Sequence, residues 1–144
     1  MPSVVRCPEK LDSCPANSQN ISMYELIIKS EFSAAHHLRN YKGKCEQVHG
    51  HNYLVDLFIS AQTIGKSGLL MDFTHIKAVL RKVLDEFDHK DLNKVKDFRK
   101  LNPTAENIAF VIHSKLKNKM PKDVQLKVCI WESLKTGAVY SDVM

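Results

Sequence analysis

The chain has 144 residues, a formal net charge of +5 and 7 histidines, a high number of histidines for so short a sequence. The length suits a single domain, and a chain of about 150 residues buries enough surface to hold one hydrophobic core. With 44% hydrophobic and 26% charged residues, the composition is globular and excludes a wholly disordered, collagenous or coiled-coil chain. No run approaches the roughly 20 apolar residues of a membrane-spanning helix, so no membrane partner is predicted.

The N-terminal segment and the cysteines predict a cytoplasmic protein. The first 22 residues carry charged side chains, among them Arg6 and Asp12, and lack the apolar core of a signal peptide. The 4 cysteines show no disulfide framework. Cys7 and Cys14 could bind a metal, but no partner pair has CxxC spacing, so our interpretation is that they have no role. The charge of +5 permits an anionic small substrate, whereas no dense basic run predicts binding to nucleic acid.

The hydropathy pattern divides the chain near residue 22. Residues 1–22 contain three prolines and little periodicity, which predicts a flexible leader before a folded domain over 23–144. Apolar and polar residues alternate from Met23 to about Phe32, and again over 48–61, which predicts two strands joined by a polar loop.

The period then changes to 3.6 residues. Apolar residues recur at helical spacing from Ile76 to Phe87, which predicts an amphipathic helix with Asp72 or Thr74 as its N-cap. The preceding segment, 69–73, is predicted to be a short extended piece. Residues 88–100 are polar and are predicted to be a long connection.

One more helix and two more strands complete the pattern. The helix is predicted to start near Asn102-Pro103, with proline in the first helical position, and to end at Met120-Pro121. Alternation over 124–130 and a turn at Gly137 predict two last strands, the second over 138–141. The order ββααββ predicts an α+β fold with antiparallel strands and both helices on one face of the sheet.

Three histidines are spaced to bind one metal ion. His49 and His51 are two residues apart on a predicted strand, so their side chains share a face at about 6.6–6.8 Å. His36 ends the preceding strand and would lie beside them if the two strands pair. Three imidazoles without a fourth protein ligand are typical of catalytic zinc with an open position. The alternative is ordinary core or surface histidines, which is our interpretation of three others: His37, His75 and His113.

Cys45 lies in the polar loop, four residues before His49. A thiol close to Zn²⁺ and Lys44 would react as the thiolate, as a base or nucleophile. Alternatively, it would be a fourth ligand that closes the metal site. In that case the chain would be a zinc-stabilised binding module without catalysis.

Two further groups suggest chemistry. In Asp88-His89, a carboxylate next to an imidazole could orient it as a general acid or base. Glu132 directly follows a predicted strand, and its side chain is expected on the same face of the sheet as the apolar residues Val128 and Ile130. A carboxylate on an apolar face needs a partner to offset its desolvation. A ligand with paired N–H donors would supply one, and the alternative is an ordinary salt bridge at the strand end.

Several motifs occur together in a recognisable order. They are Phe32-Ser33-Ala34-Ala35-His36, Cys45-x-x-x-His49-Gly50-His51-Asn52-Tyr53, Leu70-Met71-Asp72-Phe73, Asp88-His89-Lys90-Asp91-Leu92-Asn93, Asn102-Pro103-Thr104-Ala105-Glu106-Asn107 and Glu132. Over 23–142 the chain resembles the 6-pyruvoyltetrahydropterin synthase / 6-carboxytetrahydropterin synthase family. The resemblance implies the tunnelling fold, in which a four-stranded antiparallel sheet carries two helices on one face. It also implies a homohexamer, a dimer of barrel-shaped trimers, with active sites at subunit interfaces.

The resemblance implies a zinc enzyme that acts on 7,8-dihydroneopterin triphosphate. Zn²⁺ would act as a Lewis acid on the side-chain hydroxyls of this substrate. Cys45 would remove a proton as the thiolate, and His89, oriented by Asp88, would complete the acid/base set. The implied zinc ligands are His36, His49 and His51.

The resemblance also implies a pterin pocket. Glu132 would bind the guanidine-like edge of the pterin through two charge-assisted hydrogen bonds. Thr104 and Glu106, in the motif that starts the second helix, would support the same pocket. His37 stands where relatives often have arginine, and no basic residue is assigned to the triphosphate.

The loop before His49 bears on the product. Its three-residue gap after Cys45 resembles bacterial enzymes of the queuosine (7-deazapurine) route. Those enzymes form 6-carboxy-5,6,7,8-tetrahydropterin and release triphosphate and acetaldehyde, whereas the pyruvoyl enzymes have a longer gap. 6-Pyruvoyltetrahydropterin synthase activity remains an alternative.

Glu46 supports another alternative activity, because a related branch of the family uses a glutamate in this loop to cut the side chain to 6-hydroxymethyl-dihydropterin for folate synthesis. With both Cys45 and Glu46 present, a mixed activity is a further alternative, and Glu46 could also be an ordinary solvated loop residue.

Overall fold

The computed structural model describes residues 22–142. The leader predicted over 1–22 therefore lies outside the described residues except for its last position, and the domain boundary stays a prediction. Within the described range, no helix is long and apolar enough to cross a membrane.

The described chain forms one five-stranded sheet and two helices. The strands lie in the order β3-β1-β2-β4-β5, and all neighbours are antiparallel except β3, which is parallel to β1. The elements in chain order are β1 (Tyr24–His36), β2 (His49–Ala61), α1 (Phe73–Leu84), β3 (Lys90–Asp91), α2 (Ala105–Lys117), β4 (Gln125–Trp131) and β5 (Gly137–Ser141). The α+β class and the five long strand and helix patterns (β1, β2, α1, α2 and β4) are as predicted.

The predicted four-stranded, fully antiparallel sheet is wrong at one edge. The two-residue strand β3 lies inside the stretch predicted to be a connection, and it pairs with Ala34 and Ala35 of β1. The order of elements is therefore ββαβαββ. Two residues are too few to produce an alternating pattern. A tertiary contact places them instead, since the His89 N–H donates to the Ser33 carbonyl at 2.6 Å.

Both helices begin at a polar N-cap side chain. Asp72 accepts a hydrogen bond from the Thr74 N–H, so Phe73 begins α1 and the predicted extended piece over 69–73 forms no strand. Thr104 accepts from the Asn107 N–H and caps α2. Pro103 therefore precedes the cap instead of occupying the first helical position, because the Thr104 hydroxyl satisfies a free N–H group that proline cannot.

The hydrophobic core lies between one face of the sheet and the two helices. Alternate residues of the three long strands are buried on this face, and the helices bury their apolar stripes against them. The largest fully buried side chains are Tyr53, Phe87, Phe98, Leu57, Ile59, Ile76, Leu80, Leu84, Leu92, Ile108, Ile112 and Leu116. The opposite face is uncovered and carries polar pairs, such as Lys29 with Asp56 at 2.9 Å.

The end of the described chain is held to α2 by a charged cluster. Asp142 Oδ2 accepts hydrogen bonds from Lys117 Nζ and the Leu126 N–H, each at 2.8 Å. His113 Nε2, which is buried, lies 3.1 Å from Asp142 Oδ1 without hydrogen-bond alignment. Burial favours the neutral acid, but these hydrogen bonds outweigh it and hold the pKa of Asp142 below its ordinary value.

We expect the substitution Asp142→Asn to destabilise the protein at neutral pH. Hydrogen bonds to charged groups contribute about 1.5–3 kcal/mol to the free energy of unfolding. The variant replaces the carboxylate charge of Asp142, which accepts these hydrogen bonds, with a neutral amide. Because the folded pKa is depressed, this stabilisation is complete above the unfolded aspartate pKa of about 3.9 and is lost as the pH falls through the folded value. Urea unfolding at several pH values should show the difference shrink in acid. Equal stabilities at pH 7 would contradict the role, and Asp123→Asn on the exposed neighbouring loop is the control.

Candidate metal centre and active site

Strand pairing brings three histidines together on the helix-covered face of the sheet. His36 at the end of β1 lies opposite His49 at the start of β2, and Ala34 lies opposite His51. The ligand nitrogens of the three imidazoles all lie within 4.8 Å of one another. His36 Nε2 and His49 Nε2 are 3.0 Å apart, close to the roughly 3.3 Å expected for two imidazoles on one tetrahedral zinc. The cluster can therefore hold a metal ion.

Backbone carbonyls orient two of these rings. Pro103 O lies 2.6 Å from His36 Nδ1, and Gln47 O lies 2.7 Å from His49 Nδ1. A carbonyl only accepts, so in both rings Nδ1 carries the proton and Nε2 keeps its lone pair for a metal. Sequence reasoning missed this contact of Pro103, whose only signal was its place in the Asn102-Pro103 motif.

Two asparagines fix the chain that carries Pro103. Asn102 accepts from the N–H of Arg39 at 2.8 Å and donates to its carbonyl at 2.9 Å. Asn93 makes the same pair of bonds with His37, at 2.9 and 3.0 Å. Each side-chain amide thus imitates a neighbouring strand and extends the pairing of β1 beyond its end. Asn93, within the predicted polar connection, and Asn102, just after it, therefore attach this segment to the chain that follows His36.

The surroundings of His36 suit a metal ligand. Its burial lowers the pKa of His36, the Pro103 carbonyl opposes this effect, and the imidazole of His49 lowers the pKa further. The ring therefore stays in the neutral form that binds metals. Tyr53 is fully buried beside the cluster, with its ring 5.3 Å from that of His51. Burial and the Glu132 carboxylate raise the pKa of Tyr53, so its hydroxyl stays protonated.

A cavity of about 300 Å³ opens next to His36. Cys45, which is half-buried on a short 3-10 turn over Lys44–Glu46, lines this cavity. Thr104 and Glu106 contribute to its wall from the start of α2, and Glu132 contributes from the end of β4. The structure thus brings four residues singled out in the sequence to the metal cluster.

Glu132 reaches the cluster because of the sheet register. Leu54 pairs with Trp131, the last residue of β4, so Glu132, which directly follows the strand, lies on the side of Tyr53 and the helix-covered face. Glu132 Oε1 lies 4.0 Å from His36 Nε2. Close approach of the β4–β5 turn needs a glycine, because a Cβ at Gly137 would lie 2.6 Å from the Ile130 carbonyl oxygen. Gly137 lines the same cavity.

Cys45 lies outside the metal-ligand cluster. Among the described residues, the three histidines form a group without the thiol, and His36 alone of the three shares a cavity with Cys45. A metal ion held by the three histidines would therefore take no fourth ligand from Cys45. Glu46 is exposed and is not part of the cavity wall.

Asp88 and His89 lie elsewhere in the same chain. The first helix ends at Leu84, so the two residues occupy the turn before β3 instead of the helix end. His89 is 81% exposed and lines a second cavity, of about 510 Å³, together with Gly50 and Asn52 of β2. Within one chain, the structure does not bring the Asp88-His89 pair into the cavity of Cys45.

Asp88 and His89 nevertheless make a direct side-chain contact. Asp88 Oδ1 lies 3.0 Å from His89 Nδ1 and accepts a hydrogen bond from the Ser33 N–H at 2.9 Å. That backbone hydrogen bond lowers the pKa of Asp88, with smaller contributions from His89 and Arg81, while burial opposes it. Asp88 is therefore an anion that can orient the imidazole.

A comparison with known proteins identifies the family. A sequence model of the 6-pyruvoyl tetrahydropterin synthase family matches residues 25–142. The chain belongs to this family. The resemblance read from the motifs is therefore confirmed, and the protein is a pterin-metabolising enzyme of a lyase/synthase family.

Individual members of the 6-pyruvoyl tetrahydropterin synthase family support the assignment. A dihydroneopterin monophosphate aldolase of Pyrococcus furiosus is 35% identical over 113 residues, covering 78% of this chain and 92% of the relative. A putative 6-carboxy-5,6,7,8-tetrahydropterin synthase of Archaeoglobus fulgidus is 40% identical over 92 residues, covering 64% and 75% of the two chains. The solved 6-pyruvoyl tetrahydropterin synthase of Caenorhabditis elegans superimposes with a TM-score of 0.77 at 30% identity, covering 85% of this chain and 98% of that one. The predicted tunnelling fold is confirmed.

Proposed function

We propose that the protein converts 7,8-dihydroneopterin triphosphate to 6-carboxy-5,6,7,8-tetrahydropterin and releases triphosphate and acetaldehyde. The observation that carries this proposal is the cavity shared by Cys45, His36 of the histidine cluster and Glu132. A base, a metal ligand and a carboxylate for the substrate then face one ligand-sized space. The relatives named 6-carboxy-5,6,7,8-tetrahydropterin synthase support the choice of product.

The metal in this proposal is zinc. Three neutral nitrogen ligands with an open position are the donor set of catalytic zinc sites, and the three histidines fit it. Bound zinc supplies Lewis-acid chemistry to the side-chain hydroxyls of the substrate. The chain holds and orients it through His36, whose Nδ1 donates to Pro103 O, and His49, whose Nδ1 donates to Gln47 O.

The cavity walls recognise the pterin. Glu132 accepts two hydrogen bonds from the guanidine-like edge of the ring, which pairs a carboxylate with two parallel N–H donors. Thr104 and Glu106 support the ring from the start of α2, where the Thr104 hydroxyl is already oriented by the Asn107 N–H. Cys45 removes a proton from the substrate side chain as the thiolate.

A second copy of the chain completes the acid/base set. Within one chain, the exposed His89 lines a different cavity from that of Cys45. In a homohexamer with active sites at subunit interfaces, the Asp88-His89 pair of one copy reaches the cavity of another. The proposal places this hexamer in the cytoplasm, with its product entering the queuosine (7-deazapurine) route.

A second candidate function is cleavage of the side chain to 6-hydroxymethyl-dihydropterin for folate synthesis. The relative named dihydroneopterin monophosphate aldolase favours it, as does Glu46, which shares the 3-10 turn with Cys45. The exposed position of Glu46 outside the cavity counts against it. The non-catalytic binding module is disfavoured because Cys45 lies outside the ligand cluster and does not close the metal site.

Mass spectrometry of the products tests the proposal. The zinc-loaded protein is incubated with 7,8-dihydroneopterin triphosphate and, separately, with the monophosphate. We expect 6-carboxytetrahydropterin and acetaldehyde from the triphosphate, and the same product from the Glu46→Gln variant. Exclusive formation of 6-hydroxymethyl-dihydropterin, abolished in the Glu46→Gln variant, would overturn the proposal in favour of the second candidate.

A further inference from the structure

One arginine joins three parts of the fold around the Asp88-His89 pair. Arg81, on the third turn of α1, donates through Nε to Asp85 Oδ1 and through Nη1 to the carbonyl of Glu31 on β1, at 2.6 and 3.2 Å. Its Nη2 donates to Asp88 Oδ2 at 3.1 Å. Arg81 lines neither the cavity of Cys45 nor that of His89. Any effect on the reaction would therefore pass through Asp88.

Both oxygens of Asp88 are held, each by a different partner. Oδ2 accepts a hydrogen bond from the Arg81 guanidinium, and Oδ1 accepts one from the Ser33 N–H at 2.9 Å. With two anchors on opposite oxygens, the carboxylate cannot rotate about its χ2 bond. With the Ser33 bond alone, the second oxygen would be free to turn towards solvent, since the Asp88 side chain is 25% exposed.

The held carboxylate determines which nitrogen of His89 carries the proton. Asp88 Oδ1 lies 3.0 Å from His89 Nδ1 and, as an anion, can only accept. This contact favours hydrogen on Nδ1, which leaves the lone pair on Nε2. The ring is 81% exposed, so packing does little to orient it. Its backbone is fixed instead, by the N–H bond to Ser33 O and by a left-handed φ of 57°.

We propose that Arg81 is a positioning residue that locks the Asp88 carboxylate and so holds His89 in the Nδ1–H tautomer, with Nε2 free to exchange a proton with the substrate. The catalytic part of this inference rests on the proposed function, whereas the tautomer part does not. An arginine suits the role because its planar fork reaches Glu31 O and Asp88 together, which the single ammonium of lysine does not reproduce.

Nitrogen-15 NMR of the zinc-loaded 144-residue chain tests the inference. Spectra are recorded near pH 8.5, where an ordinary imidazole of pKa about 6.5 is neutral, and the His89 signal is assigned by its loss in His89→Gln. We expect the Nδ1–H tautomer to dominate in the wild type and a mixture of tautomers in Arg81→Gln. The kcat of Arg81→Gln should fall about 10- to 100-fold, part of the roughly 10²–10⁴-fold that a positioned acid or base supplies, with KM changed less than about twofold.

Two matched variants separate positioning from a general loss of charge. Asp85→Asn removes another acceptor of the same guanidinium, and Lys82→Gln removes the adjacent exposed cation of α1. Both should keep the wild-type tautomer and kcat. An unchanged tautomer in folded Arg81→Gln, or the same shift in Asp85→Asn, would overturn the proposal.

Two further outcomes, an Arg81→Gln variant that does not fold and a protein without pterin activity, also test the role of Arg81. Should Arg81→Gln not fold in a thermal melt, Arg81→Lys replaces it, and a wild-type tautomer in that variant would show that the fork is not needed. A tautomer shift in a protein that turns over neither pterin phosphate would leave Arg81 as a positioning residue and overturn the proposed function instead.

Discussion

Replacing Cys45 by alanine should abolish product formation while the protein keeps its metal. The thiol lines the cavity next to His36 but lies outside the cluster of ligand atoms, so its removal takes away the proposed base and no ligand. We expect kcat to fall by at least about 10²–10⁴-fold, the usual contribution of a positioned acid or base. Mass spectrometry of the pterin product and elemental analysis of bound zinc measure the two effects on one sample.

The adjacent residue of the same turn provides the control for Cys45. Glu46→Ala alters an exposed side chain outside the cavity and should leave both the zinc content and the carboxypterin product unchanged. Loss of zinc from Cys45→Ala would instead show that the thiol is a fourth ligand. Zinc loss from a protein without activity on pterins would revive the zinc-stabilised binding module.

Replacing His49 by alanine should remove the metal and the activity together. His49 supplies one of three ligand nitrogens, and the Gln47 carbonyl orients its ring, so the variant leaves only two imidazoles for the ion. We expect the zinc content to fall from about one ion per chain to near zero after dialysis. Loss of the ion should also lower thermal stability, since a ligand at 100 times its Kd stabilises the folded state by about 2.7 kcal/mol.

An exposed histidine outside the cluster is the control for His49. His75 lies on the solvent side of α1, and His75→Ala should keep its zinc and its activity. In the wild type, a chelator should abolish turnover, and added Zn²⁺ should restore it. A His49→Ala protein that retains a full complement of zinc would contradict the three-histidine site.

Most of the fold could be predicted because the long elements carry their own periodicity. Alternation in β1, β2 and β4, and the 3.6-residue period from Ile76 onwards, follow directly from which face of each element is buried. The strand β3 could not be predicted, since Lys90 and Asp91 have no pattern of their own and pair with β1 because neighbouring contacts hold them there.

The candidate site divides in the same way. The i, i+2 spacing of His49 and His51 alone predicts that they share a face, because side chains alternate along any strand. That His36 joins them depends on the register of β1 with β2, which brings it opposite His49. The support from Pro103 O could not be predicted, because a backbone carbonyl 67 positions along the chain carries no residue-type signal.

By itself, the sequence determined the family, the fold class and the chemical types at the site: three imidazoles, a thiol, an Asp-His pair and a strand-end carboxylate. These follow from residue identity and local spacing, which are properties of the chain before it folds. Only the tertiary structure decided which of these groups meet. Strand register places Glu132 beside the histidine cluster, and the Leu38 N–H, which donates to the Cys45 carbonyl at 2.8 Å, holds Cys45 at the same cavity. The turn before β3 places Asp88-His89 in another cavity, because distances across a sheet depend on pairing and not on separation along the chain.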